Sequence, residues 1–176
     1  MSTSCTYGFY KNGDLKVDYN NSDSYPSGFG KHIVAFIREN TIDELNELYD
    51  KMVVVPRKEV PNEIETQNLK SKGIYIDSSE DVFNWEHISV FNESFLEYYK
   101  LGVYFIPDFS QWFYAGHDWA YLINLDDNTF EVYSRKYSKD ENEEQLREFN
   151  RYSDKYTLRG KFSLDKIPRD WNRLVG

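Results

Sequence analysis

A single cysteine, Cys5, among 176 residues excludes an internal disulfide and a cysteine-based zinc cluster. No apolar run approaches the roughly 20 residues that cross a bilayer. The first residues carry no basic, apolar, small-residue succession of the signal-peptide type. With the lone thiol, these absences lead us to expect a cytoplasmic protein with no membrane partner. The three histidines, His32, His87 and His117, lack paired ligand spacing, so neither a metal site nor another cofactor is expected. The Gly-Lys-Ser/Thr ending of a P-loop is missing, and so is a full Gly-x-Gly-x-x-Gly fingerprint. No internal repeat and no low-complexity linker divides the chain.

What is present is acid and aromatic. The net charge is −9 and the isoelectric point about 4.9. Such a surface repels phosphate backbones, which argues against non-specific nucleic-acid binding, and its plainest use is solubility. Hydrophobic residues make up 40% and aromatics 18%, with 15 tyrosines among them. Tyrosine joins bulk to a polar tip, so many should sit half-buried or line a pocket or a partner surface. That content is compatible with a homodimer. The length suits one domain spanning residues 1–176, with roughly two-thirds of the unfolded surface buried.

Along the chain, residues 6–20 predict a β-hairpin. Tyr7 and Phe9 alternate on one strand, Leu15, Val17 and Tyr19 on the other, and Asn12-Gly13 supplies the turn. A loop over residues 20–28 follows, with Asp23 or Ser27 placed to cap a helix whose apolar positions are Phe29, Ile33, Phe36 and Ile37. Thr41-Ile42-Asp43-Glu44 matches a capping box, opening a helix that buries Ile42, Leu45, Leu48, Tyr49 and Met52. Val53-Val54-Val55 reads as extended chain. Pro61 suits the first turn of a third, polar helix, which Gly73 stops. Residues 78–81 start a further helical region, continued by the spacing of Trp85, Ile88, Phe95, Tyr98 and Tyr99 and ended by Gly102. Residues 103–106 are strand-like, and residues 112–114 are open between strand and loop. Residues 119–125 and 129–133 form a second hairpin around Asp126-Asp127-Asn128. Residues 139–154 read as an exposed, charged helix, and residues 156–162 as a final strand. Leu164, Ile167, Trp171 and Leu174 anchor the tail. The sum is an α+β fold: an antiparallel sheet from two β-hairpins plus a C-terminal strand, packed against several helices.

Tyr7-Gly8-Phe9-Tyr10-Lys11-Asn12-Gly13, Tyr19-Asn20 and Asp23-Ser24-Tyr25-Pro26-Ser27-Gly28-Phe29-Gly30 resemble the opening of a family of uncharacterised bacterial and phage proteins. Trp119-Ala120-Tyr121-Leu122-Ile123-Asn124-Leu125-Asp126 with Phe130-Glu131-Val132-Tyr133 is similar to that family's later hairpin, and Phe162-Ser163-Leu164-Asp165-Lys166-Ile167-Pro168 to its close. The resemblance covers both ends of the chain. It implies that the opening loop and the late hairpin share one domain, and it brings no activity with it.

The loop before the first helix is the first candidate site. A helix N-terminus offers free N–H groups and a positive dipole end to an anion. Asp23, Ser27, Gly28 and Gly30 form the turn, Lys31 adds charge, and Tyr19 and Tyr25 could stack on a flat ring. The plainer alternative is a capped turn whose glycines supply positive φ. His117 and Trp119, in Gly116-His117-Asp118-Trp119, are placed to reach the same pocket. Adjacent strand residues face opposite ways, so His117 and Asp118 do not by themselves make a catalytic pair. Cys5, directly before the first strand, could serve as an N-terminal nucleophile if residues 1–4 were removed; its plain reading is a small, half-buried residue. The acidic stretch 140–148 reads as a solvated face or a protein-partner surface. The aromatic run Trp112-Phe113-Tyr114 should send at least one ring to a groove, interface or ligand.

These features favour a non-catalytic binding domain for a small anionic ligand, with a nucleotide as the class that fits, and no catalytic residues assigned. In a phage setting, sequestering a signalling nucleotide as an anti-defence measure is one form of that role. The alternatives are an N-terminal-nucleophile hydrolase using Cys5, and a protein-interaction module or inhibitor acting through aromatic and acidic surfaces.

Overall fold

The computed structural model describes residues 3–74, 76, 84–91, 95–135 and 155–176. The expected helical start at residues 78–81 and the charged segment 139–154 lie outside the described residues.

Local chemistry sets the first hairpin. β1 (Cys5–Lys11) and β2 (Asp14–Asn20) are joined by two residues, Asn12 and Gly13, both left-handed at φ 53° and 83°. That is the backbone twist a two-residue hairpin turn requires. The turn is also held from outside, since the Asn12 N–H donates to both carboxylate oxygens of Asp126. α1 (Phe29–Glu39) buries Gly30, Ile33, Val34, Phe36 and Ile37 along one stripe. α2 (Ile42–Lys51) opens on the capping box read from the sequence. The Glu44 N–H donates to Thr41 Oγ1 at 3.2 Å, and the Thr41 N–H to Glu44 Oε2 at 2.7 Å. β3 (Val53–Val55) pairs in parallel with β4 (Phe105–Pro107), and the chain between them carries α3 (Glu63–Ser71), α4 (Trp85–Phe91) and α5 (Phe95–Lys100). The third helix begins two residues later than Pro61 suggests, because Asn62 is its cap and forms a second capping box with Glu65.

Residues 112–114 belong to neither strand nor loop. They lie in a short helix, α6 (Ser110–Ala115), started by the Asp108 carboxylate, which accepts from the Ser110 N–H at 3.0 Å, and closed by left-handed Gly116 at φ 84°. The helical turn sends Phe113 fully inward, leaves Trp112 half-buried and exposes Tyr114. β5 (Trp119–Asn124), β6 (Thr129–Arg135) and β7 (Tyr156–Ser163) complete the sheet, and α7 (Trp171–Val175) closes the chain. In the tail, Leu164, Ile167 and Trp171 are buried as expected, but Leu174 is exposed and Val175 takes its place inside.

The main sheet has the order β2-β1-β5-β6-β7. The two expected hairpins and the final strand are all in it. They meet through one parallel pair, β1 with β5 in the register Cys5↔Trp119 to Tyr10↔Asn124, so the sheet is mixed. Its two faces bury different sets, as pleating demands. On the helix side Cys5, Tyr7, Phe9, Tyr121, Ile123, Phe130 and Val132 pack under α1, α2 and α5, with Tyr7 stacked on Phe95 at 4.9 Å. On the other side Leu15, Val17, Ala120, Leu122, Tyr133 and Tyr156 gather around Phe113 of α6. A register shift between Val132 and Tyr133 opposes Arg159 to no partner residue, a bulge on the edge strand β7. No helix among the described residues is long and apolar enough to cross a membrane.

Candidate functional site

The end of the sheet where β1 and β5 begin and β2 finishes holds most of the singled-out residues. The loop from Asn20 to Gly28 closes over it. Ser24 is the inner post of that loop. It is fully buried; its N–H donates to Thr3 Oγ1 at 2.9 Å, and its carbonyl accepts from the Tyr121 hydroxyl at 2.7 Å. Asn20 Nδ2 donates to Ser24 Oγ at 2.8 Å.

The start of α1 uses this loop as its cap. Its N-cap is Gly28, and no side chain caps it, neither Asp23 nor Ser27. Backbone carbonyls do the work instead. The Phe29 N–H donates to Asp23 O at 2.8 Å, those of Gly28 and Gly30 donate to Tyr25 O at 2.9 and 3.4 Å, and that of Lys31 to Gly28 O at 3.0 Å. The N–H groups an anion would use are therefore already taken. The glycines admit the protein itself. A Cβ on Gly28 would stand 2.3 Å from the Asp23 carbonyl, and one on Gly30 would stand 2.9 Å from the Trp171 ring. Tyr25, Ser27 and Lys31 are exposed around this cap. Trp119 lies on the helix side of the sheet, its ring parallel to Tyr121 at 6.4 Å.

Tyr19 and His117, far apart in the chain, come together. Their ring centroids are 4.9 Å apart, on the α6 side of the sheet. Trp112 joins them, 4.6 Å from Tyr19 and 5.7 Å from His117, and Phe109 backs Tyr19 and Trp112 at 5.9 and 5.0 Å. Over this group lies a cation: the Arg57 guanidinium sits 4.8 Å from the Trp112 ring and 5.5 Å from Phe109. Arg57 also faces the Glu86 carboxylate at 3.7 Å.

A polar floor supports the rings. The Ser4 N–H donates to Asp118 Oδ2 at 2.9 Å, and Ser4 Oγ lies 3.2 Å from His117 Nδ1 and 3.4 Å from Asp118 Oδ2. The His117 N–H donates to the Tyr156 hydroxyl at 2.9 Å. His117 and Asp118 precede β5, so strand alternation does not apply to them, and both side chains converge on Ser4, with the Asp118 carboxylate accepting from its N–H. Burial pushes His117 below its ordinary value, against the pull of Asp118, so the ring is neutral near pH 7. Its Nε2 is enclosed with no hydrogen-bond partner among the described residues. Burial likewise raises the Tyr19 hydroxyl.

Cys5 lies beneath this floor and is wholly enclosed. Burial pushes its thiol up to about 12, with the Asp18 and Asp118 carboxylates acting in the same direction. A thiol so placed is a poor nucleophile at neutral pH. Among the described residues no group of three or more His, Cys, Asp or Glu side chains is gathered as a metal site.

Sequence reasoning passed over Ser4 and Arg57. Neither carries a local signal, because each matters only through what folding brings beside it. Trp112 had one in its aromatic run, whose residues 112–114 the sequence leaves open between strand and loop.

No protein-family model, curated protein or solved structure matches the chain.

Proposed function

We propose that this protein is a non-catalytic binding domain for a small ligand with a flat ring and a negative charge, a nucleotide being the class that fits best. The observation that carries the reading is the gathering of Tyr19, Trp112 and His117 under the Arg57 guanidinium. Half-exposed aromatic rings offer stacking surface to a base. A guanidinium fixed over an indole supplies the donors a phosphate needs. The anion contact is thus assigned to Arg57, since the first N–H groups of α1 are engaged by their own loop. Ser4, Asp118 and Tyr156 hold the histidine in place for this role. The resemblance of both chain ends to uncharacterised bacterial and phage proteins suggests one concrete form in a phage setting: holding a signalling nucleotide out of reach of the host.

The enclosed thiol favours this reading over hydrolysis at Cys5. Calorimetric titration with a panel of mono-, di- and cyclic nucleotides tests it. At least one member is expected to bind, and Trp112→Ala and Arg57→Ala should each weaken it about tenfold or more. Absence of binding by the whole panel, in a sample shown to be folded, overturns the proposal.

A further inference from the structure

A concavity lies away from the ring cluster, between α1 and α5. It is an open groove of about 420 Å³, within the size range of small-ligand pockets. Its walls are Phe29, Ala35 and Phe36 from α1 and Leu96 from α5, with His32 at one side. Charge stands along its rim. Glu39 from α1 and Glu97 from α5 flank Lys100, whose ammonium lies 3.3 Å from Glu39 Oε2 and 3.4 Å from Glu97 Oε2.

Two carboxylates and one ammonium leave the rim with one excess negative charge, on a protein whose net charge is −9. An anion would meet repulsion here, from the rim and from the field of the whole molecule. A cation meets the opposite. The carboxylates attract it, and half-buried Phe29 and exposed Ala35 offer apolar surface to its body, above buried Phe36 and Leu96. Lys100 shows the chemistry already at work, as an ammonium held between the same two carboxylates.

We infer that this groove is a binding site for a small organic cation, a free amine or guanidinium on an aromatic or aliphatic body. The head group adds to the Glu39–Glu97 rim beside Lys100, and the body lies over Phe29 and Ala35. This site is independent of the ring cluster and of the nucleotide reading.

Three probes of one shape but different charge test it: 2-phenylethylamine, 2-phenylethanol and 3-phenylpropionate, each titrated while recording protein NMR spectra. The amine is expected to shift resonances of Phe29, Ala35, Phe36 and Leu96, to bind about tenfold tighter than the alcohol, and to weaken as salt is raised. The acid should leave those resonances unmoved. Charge edits on the exposed rim should act in opposite directions: the double variant Glu39→Gln, Glu97→Gln loses the preference for the amine, and Lys100→Gln strengthens it. Equal binding of amine and alcohol, no shift with the amine, or weaker amine binding by Lys100→Gln overturns the inference. None of these outcomes bears on the nucleotide titration.

Discussion

Cys5 is a small side chain whose setting decides its chemistry. It opens β1 with no exposed surface, and its thiol is pushed up to about 12. At neutral pH it stays protonated, and the thiolate that reagents attack through is absent. The native protein should therefore resist Ellman's reagent and be labelled only when denaturant opens the sheet. Labelling of the folded protein at the rate of a free thiol would show this picture of the site to be wrong. Position in sequence pointed to Cys5 as a nucleophile only because it precedes a strand. Burial is a property of what packs above, here Ser24 and the loop it anchors, and no residue near Cys5 in the chain announces that. The reverse holds for Asn12-Gly13, where the signal is wholly local and the turn follows from backbone sterics alone.

At the scale of an element, the parts readable from sequence are those whose ends and periods are both written in the chain. α2 is the clearest. Thr41 and Glu44 satisfy each other's backbone N–H groups, and Leu45, Tyr49 and Met52 share the buried face. Thr41→Ala removes one half of that exchange and should cost about 1 kcal/mol in urea denaturation. An unchanged midpoint would mean that packing alone holds the helix end. α6 was harder to see for a physical reason. Six residues make fewer than two turns, too few for a helical period to stand out from a run of aromatics. Its determinants sit outside the run, in the Asp108 carboxylate and in Gly116. The cap of α1 was half legible. The loop composition marked a helix start, but the capping groups are main-chain carbonyls, which side-chain identity does not reveal.

Across the whole molecule, hairpins and helices were legible one at a time, and their assembly was not. The parallel junction of β1 with β5 brings Ser4 to Asp118 across 114 residues, and with it Tyr19 to His117. Arg57 reaches the same place from the connection after β3. Such meetings depend on the completed sheet, so a candidate site assembled from them leaves only scattered marks in the sequence. The tail is part of that assembly. Trp171 packs edge-on to Phe130 at 5.4 Å and fills the space beside Gly30, tying α7 to both β6 and α1. Trp171→Ala should destabilise the protein by about 3–5 kcal/mol, measured by chemical denaturation. A loss below about 1 kcal/mol would mark α7 as an ornament rather than a brace.

The parallel junction also has a consequence in time. Each hairpin closes over a few residues, a microsecond event that needs nothing from the rest of the chain. The pairing of β1 with β5 cannot begin until both are present, and it carries the entropy of closing a loop that contains every helix from α1 to α6. On a ribosome the first hairpin emerges early, with the edge of β1 unpaired until the second follows. Folding is then a wait for a distant partner, and the rate of that single docking step governs how long an apolar strand edge stays open to other chains.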